Sequence, residues 1–269
     1  MKDEPRSALA VCAHPDDIEF IAAGTLLLLK EKGWEIHYMN LSGGDLGSLT
    51  HNREETRNIR TQEGQNAAKI LGATFHDPVS NDLEILYDTD TIKKIAAVIR
   101  ETHPSIILTH ALCDYMIDHE NTARLTVTAA FVKGMKNYQT NPPREPIGND
   151  VTIYHGMPHW LQTPLRQKVR SGLYVDTASV QPKKREALAA HKSQKEFLEA
   201  TQGMDFYLVA MDELSRGVGK LSEKFEYAES WNRHLHLGFS VNKQDPLAEA
   251  LHDLCLVDED YERQLETPR

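Results

Sequence analysis

Residues 9–17 read LAVCAHPDD: an apolar run from Leu9 to Ala13 ends abruptly on His14-Pro15-Asp16-Asp17. A short run with no polar alternation suits a strand buried on both faces, as in a parallel sheet. Pro15 suits the first turn of a helix, where its missing N–H has no partner to lose. Ile18 to Lys32 reads as that helix, stopped by Gly33. Strand, turn and helix open a βαβ unit, and the first half of the chain repeats the pattern. Glu35 to Leu41 reads as a second strand before the turn-rich Ser42 to Ser48 (SGGDLGS). Arg53 to Leu71 reads as a helix ending at Gly72, and Ala73 to His76 as a short strand. Asp90 to Thr102 is predicted helical, Ser105 to Thr109 a strand and His119 to Lys136 helical. The alternation predicts an α/β fold with a mostly parallel sheet covered on both faces. Ligands of such sheets sit beyond the carboxyl ends of the strands.

Gly134 to Asp150 is rich in Asn, Pro and Gly, which predicts a lid or an insertion. Short strands at Val151 to His155 and Leu173 to Asp176 follow, then helices over Lys183 to Thr201 and Asp205 to Lys220. The acidic tail after Asp253 reads as a solvated end without function. The 269 residues are 40% hydrophobic and 26% charged, which excludes a disordered or fibrous chain. A net charge of −10 argues against nucleic acid or an anionic membrane as main partner. The longest apolar run, Phe20 to Leu29, is about half of a membrane span, and the N-terminus lacks the apolar region of a signal peptide. Three cysteines without a CxxC pair fit a reduced compartment. The expectation is a cytoplasmic protein, with neither membrane span nor nucleic-acid partner.

His14 and Asp17, three apart across the first helical turn, can converge on one point. Imidazole and carboxylate suit zinc, and Asp16, pointing elsewhere, could take a proton from a metal-held water. The competing reading is a turn whose aspartates only cap the helix. The second concentration of His and Asp, His110-Ala-Leu-Cys-Asp114-Tyr-Met-Ile-Asp118-His119, follows a strand at the same sheet edge. His119 is the chosen third ligand, with Asp118 available to orient the site from behind. Read alone, either His110 or His119 is as well explained as a core or helix-terminal histidine. The remaining histidines, His155 and His159 among them, are expected to be surface or satisfied core groups.

These residues resemble the LmbE/PIG-L family of zinc-dependent N-deacetylases acting on N-acetylglucosamine-containing substrates. HPDD after a first strand, GGDLGS after a second, Arg60-xx-Glu63, Leu71-Gly72 and Asp118-His119 carry the resemblance. It continues through Asp176, Lys184 and His191-Lys-Ser-Gln194, so that it covers roughly residues 8–200. It implies one Rossmann-like three-layer domain over residues 1–269, with the lid or insertion at 134–150 and extra elements after 200. It implies one zinc, or another divalent transition metal, on His14, Asp17 and His119. Asp16 would be the general base, and Arg60, Asp45 and Asp118 would bind substrate. The substrate would be a small N-acetylated sugar or glycoside, hydrolysed at its amide by a zinc-activated water, and the protein is compatible with a homo-oligomer.

One departure matters. Many relatives carry a histidine three residues before the second metal histidine, credited with stabilising the tetrahedral intermediate. Here Met116 stands there and offers no useful donor. Losing such a donor costs about 10²–10³ in kcat. His191, His110 or Tyr115 could substitute, with His191 preferred, and either Asp16 itself or His191 would deliver the proton to the leaving amine. Two alternatives stand beside the deacetylase: a non-catalytic metal- or sugar-binding protein of the same fold, and an amidase of a larger sugar conjugate.

Overall fold

Along β1 (Ser7–Cys12) successive side chains enter two different cores, as the period of two of a strand dictates. Ala8, Ala10 and Cys12 face a cluster with Leu26, Trp34, Tyr38 and Leu108; Leu9 and Val11 face a second cluster with Met39, Ile95, Ile107 and Leu125. A strand buried on both faces needs no polar alternation, which is why LAVCA reads as it does. The computed structural model describes residues 6–202 and 207–266.

The elements that follow are α1 (Asp17–Ile21), α2 (Ala23–Glu31), β2 (Glu35–Asn40), α3 (Arg53–Leu71), β3 (Thr74–His76), α4 (Thr89–Thr102), β4 (Ile106–Thr109) and α5 (Ile117–Phe131). Then come β5 (Thr152–Gly156), β6 (Leu173–Asp176), α6 (Gln181–Leu188), α7 (Lys192–Gln202), α8 (Tyr207–Leu221), β7 (Ala228–Arg233), α9 (Pro246–Leu251), β8 (Cys255–Val257) and α10 (Glu259–Glu266). The strands form one sheet in the order β3-β2-β1-β4-β5-β7-β6-β8. The first five run parallel, and β7, β6 and β8 add antiparallel pairings. Side chains of α2, α3, α6 and α9 fill the core on one face, and those of α4 and α5 fill the other. The result is the expected three-layer α/β arrangement. Chain order reverses between β1 and β4, whose carboxyl ends lie in register (Val11 opposite Thr109), and this is where such sheets open a crevice.

The helix expected over Lys183 to Thr201 divides into α6 and α7, and three further expectations change. The helix expected from Ile18 to Lys32 breaks at Ala22, because Glu229 accepts from the backbone N–H groups of Gly24 and Thr25 at 2.8 and 2.7 Å and starts a new helix there. The same carboxylate binds Lys184 at 2.8 Å, so this family-matched lysine is buried in the frame between α2, α6 and β7. Residues 134–150 do not cover the crevice. Arg100, in the last turn of α4, donates to the carbonyls of Val132, Lys133, Met135 and Arg144 and pins the segment at the opposite end of the layers. The tail after Asp253 is structured as far as Glu266: β8 pairs with β6 and extends the sheet, and α10 follows. The helix expected from Asp205 is described from Tyr207 onward; residues 205 and 206 lie outside the described residues. No helix among the described residues is long and apolar enough to cross a membrane.

Candidate metal centre

The turn after β1 is closed by its own side chain. The Asp17 carboxylate accepts from the backbone N–H of His14 at 2.7 Å while the Asp17 N–H bonds the His14 carbonyl, so imidazole and carboxylate are folded toward each other. Asp16, between them, takes the left-handed conformation (φ 113°), a strained state for a residue with a Cβ that turns its side chain away from both. From the end of β4 and the start of α5 come Asp114, Asp118 and His119. One ligand atom each from His14, Asp17 and His119 falls within 4.8 Å of the other two.

The partners select the donor atoms. His14 Nε2 lies 3.1 Å from Asp118, which leaves Nδ1 toward Asp17 at 3.3 Å. His119 Nδ1 lies 3.1 Å from Asp114, which leaves Nε2 toward Asp17 at 3.5 Å. Two imidazole nitrogens and a carboxylate oxygen, with each ring backed by a further carboxylate, are the donor set of a catalytic zinc site. A second grouping, His110, Asp114 and His119, is spatially as tight. It is the poorer site because His110 Nε2 already accepts the Ala13 N–H at 2.9 Å.

Charge makes the same case. Burial opposes protonation of His14, but its bonds to Asp118 and Asp17 outweigh that and raise its pKa to about 9. His119, equally opposed by burial, is raised to about 10 by the charge of Asp17 and the bonds to Asp114 and Asp17. Asp17 is held well below the usual carboxylate range because the neighbouring histidines outweigh its burial. The carboxylates thus hold two protons on the rings, which a divalent cation would displace.

Asp16 is separate. Burial pushes its carboxyl up to about 6, against the lowering influence of Arg60, His191 and Tyr207. The buried phenol of Tyr207 donates to Asp16 Oδ2 at 2.7 Å, and Arg60 stands 3.9 Å from Oδ1. Tyr207 lies beyond the stretch that carries the family resemblance, and nothing in its local sequence separates it from a core tyrosine. Arg60, expected at the substrate, is buried and donates to the carbonyls of Pro15 at 2.8 Å and Gly44 at 3.1 Å. A Cβ on Gly44 or Gly47 would stand 2.6 Å from its guanidinium, so the glycines of SGGDLGS are there to let Arg60 approach. Asp45, expected in the pocket wall, accepts from the Asp82 N–H and from Arg53, bracing the loop that carries Asp82. Asp118, expected at the substrate or behind the centre, is buried and bonds His14 and the Leu83 N–H. His191, expected to be catalytic, is fully buried with Nε2 3.3 Å from Glu19 and has no exposed surface to offer a substrate.

At the mouth, Met116 precedes α5 as a cap without a side-chain bond. Tyr115 sets its ring edge-on to His119 at 5.6 Å between centroids, and His159 lies 6.3 Å beyond Tyr115. His159 also touches Phe20 and the exposed Trp160. Expected to be a surface or core group, it stands beside Tyr115 at the rim of the candidate site. His110, stacked flat on His119 at 4.0 Å, is already engaged with Ala13.

Comparison with known proteins adds the following. The family described as PIG-L, GlcNAc-PI de-N-acetylase, matches residues 9–130. The 4-oxalmesaconate hydratase of Pseudomonas putida is 30% identical over 207 residues, 74% of this chain and 78% of that protein. The diacetylchitobiose deacetylase of Thermococcus kodakarensis is 26% identical over 203 residues, 71% of each chain. Among solved structures, the 4-carboxy-2-hydroxymuconate hydratase of P. putida superposes with a TM-score of 0.73 at 24% identity, covering 89% of this chain and 99% of that one.

Proposed function

The chain belongs to the PIG-L (LmbE-like) family, and from that premise we propose that it is a metal-dependent hydrolase removing an N-acyl group, N-acetyl first, from an amino sugar or glycoside. The observation that carries this reading is the convergence of His14 Nδ1, Asp17 and His119 Nε2 beside a separate carboxylate, Asp16, at the carboxyl ends of β1 and β4. A divalent metal held there, zinc by the donor set, would supply Lewis acidity that lowers the pKa of water and polarises an acyl carbonyl. Asp16 accepts the proton of the attacking water at Oδ1, since Tyr207 occupies Oδ2, and returns it to the leaving amine. Arg60, fixed by two backbone carbonyls, keeps the carboxylate in place. His159 is the group on the Tyr115 side of the mouth that can supply the N–H absent from Met116. Tyr115 and Trp160, both more than half exposed, offer faces for a sugar ring.

A second reading, hydration of a carbon–carbon double bond, is favoured by the 30% identical hydratase relative and by Met116. Charge weighs against it for a carboxylate substrate. Asp16, Asp17, Asp82, Asp114 and Asp118 gather at this site. Its arginines are committed, Arg60 to carbonyls, Arg53 to Asp45 and Glu84, and Arg57 to two carbonyls and Asn81. The test incubates zinc-loaded protein with N-acetyl amino sugars and diacetylchitobiose, measuring acetate, and in parallel with a conjugated enol dicarboxylate, measuring loss of its ultraviolet absorbance. Acetate release that disappears in Asp16→Asn supports the deacetylase. Absorbance loss without acetate transfers the assignment to hydration. Neither activity, with zinc bound, leaves a binding protein.

A further inference from the structure

Strands β2, β3, β4 and β5 run parallel with β1, so the loops that leave their carboxyl ends surround the candidate centre. Each of these loops exposes a large apolar side chain: Leu46 and Leu49 after β2, Leu83 and Leu86 after β3, Tyr115 after β4 and Trp160 after β5. Apolar surface left in water is unfavourable, and where exposed apolar groups gather round a polar cleft they mark a ligand groove.

The two sides of this rim differ. Tyr115 and Trp160 are aromatic and stand by His119 and His159. The other side is aliphatic, and its backbone is fastened to the carboxylates behind His14. The Leu46 N–H donates to Asp82 Oδ2 at 3.0 Å, and Asp82 Oδ1 stands 3.9 Å from His14 Nε2. The Leu83 N–H donates to Asp118 Oδ2 at 2.7 Å, and that oxygen lies 3.1 Å from the same Nε2. Leu83 is nevertheless 63% exposed, and it holds this position at φ 59°, a left-handed conformation that strains leucine. An asparagine would make the same backbone bond with less strain, so what leucine adds is its exposed apolar side chain. Trp160, on the aromatic side, shares the conformation at φ 65°. Strain of this kind gathers at ligand sites.

An anionic guest is disfavoured here, because Asp17, Asp82 and Asp118 gather on this side and Arg53, Arg57 and Arg60 are already engaged. A protein partner seated on the rim would close the mouth of the centre. We infer that the aliphatic rim of Leu46, Leu83 and Leu86 is a subsite for an uncharged hydrocarbon group of the substrate, carried either on the acyl side of the scissile amide or as the aglycone of the sugar. The inference rests on the hydrolase reading, and it makes Leu83 a specificity-determining residue.

The test compares the methyl with the octyl glycoside of N-acetylglucosamine, and N-acetyl- with N-octanoylglucosamine, all below micelle-forming concentrations. Binding to the zinc-loaded Asp16→Asn chain is read by calorimetry, and turnover by the Asp16-containing chain as release of free amine. In at least one pair the eight-carbon member should bind at least tenfold more tightly, and which pair does so assigns the group to the aglycone or to the acyl side. Leu83→Asn, chosen because asparagine tolerates the left-handed conformation, should reduce that ratio at least threefold and leave the short compounds within twofold. Val241→Asn, at an exposed apolar position whose N–H reaches Asp150 before β5, lies at the opposite end of the parallel strands and should leave the ratio unchanged. Equal binding of long and short members in both pairs, no binding of the eight-carbon compounds, a ratio that survives Leu83→Asn, or one that falls as far in Val241→Asn overturns the inference, even where acetate is released. Preferential binding without free amine from any compound keeps the subsite and removes the hydrolase reading. Self-association in sizing chromatography that Leu83→Asn abolishes, with no preference for the longer compounds, gives the rim to a second copy of the chain and overturns the inference as well.

Discussion

Asp114 is the group whose removal speaks most directly to the proposed metal centre. Its Oδ1 faces His119 Nδ1 at 3.1 Å and accepts the Met116 N–H at 3.2 Å, so it both orients the ring and holds the start of α5. Asp114→Asn keeps an acceptor oxygen with little change of shape and removes the charge. Loss of a carboxylate behind a metal-binding histidine weakens metal affinity by about 10–100-fold, or about 1.4–2.7 kcal/mol. Asp114→Ala also leaves the buried Nδ1–H and the Met116 N–H without this partner, adding about 1–3 kcal/mol. The expected order of zinc affinity is therefore wild type, Asn, Ala, each step resolvable by competition with a chromogenic chelator. Asp118→Asn, acting through His14 Nε2, should resemble Asp114→Asn. Affinities within twofold of wild type in both asparagine variants, with metal still bound, would refute the assignment of Nδ1 of His14 and Nε2 of His119 as donor atoms.

Other outcomes follow from the same geometry. Because His14 and His119 hold protons up to about pH 9 and 10, zinc binding near pH 7 should release about two protons, measurable by calorimetry in buffers of different ionisation enthalpy. For the metal-free chain these raised values mean stability fully present below about pH 6.5 and lost as pH rises through 9–10, a loss that zinc should remove from alkaline melting curves. Tyr207→Phe deletes a bond that lowers the Asp16 pKa, so the acidic limb of the pH–rate profile should move to higher pH; an unmoved limb would mean that another group sets it. Gly44→Ala places a Cβ at φ +74°, costing about 1–2 kcal/mol, and drives it into Arg60, so the melting temperature and turnover should both fall, whereas Gly148→Ala, with open space around it, should change neither. Lys184→Met leaves Glu229 buried without its cation and should cost about 3–5 kcal/mol in urea denaturation, a cost under 1 kcal/mol counting against the ion pair as part of the frame.

What the sequence displays of the fold is what neighbouring residues decide. LAVCA and the stop at Gly72 are local signals, and the elements they announce appear where they point. The break at Ala22 is invisible locally because its cap, Glu229, lies 205 residues from Gly24. The reading of residues 134–150 as a lid fails for a similar reason. Asn, Pro and Gly mark an irregular segment whether it swings or is pinned, and the pin is the guanidinium of Arg100. Strand β8 is only three residues long, so it carries no periodicity of its own; its pairing with β6 creates it.

At the candidate metal centre, adjacency in sequence and adjacency in space part company in an instructive way. Asp118 and His119 are neighbours in the first turn of a helix, where consecutive side chains point about 100° apart. They therefore cannot serve one another: Asp118 reaches across to His14, more than a hundred positions earlier, while His119 takes its carboxylate from Asp114, in the loop before the helix. Asp114 stood in the same acidic and histidine-rich stretch, but no helical spacing relates it to His119. Arg60 and Asp16 follow the same logic, since a residue that fixes a strained carboxylate from inside the fold has the sequence of any helix arginine. Only the glycines facing it, Gly44 and Gly47, carry the trace of its passage, because a chain keeps backbone that bare where something must come close.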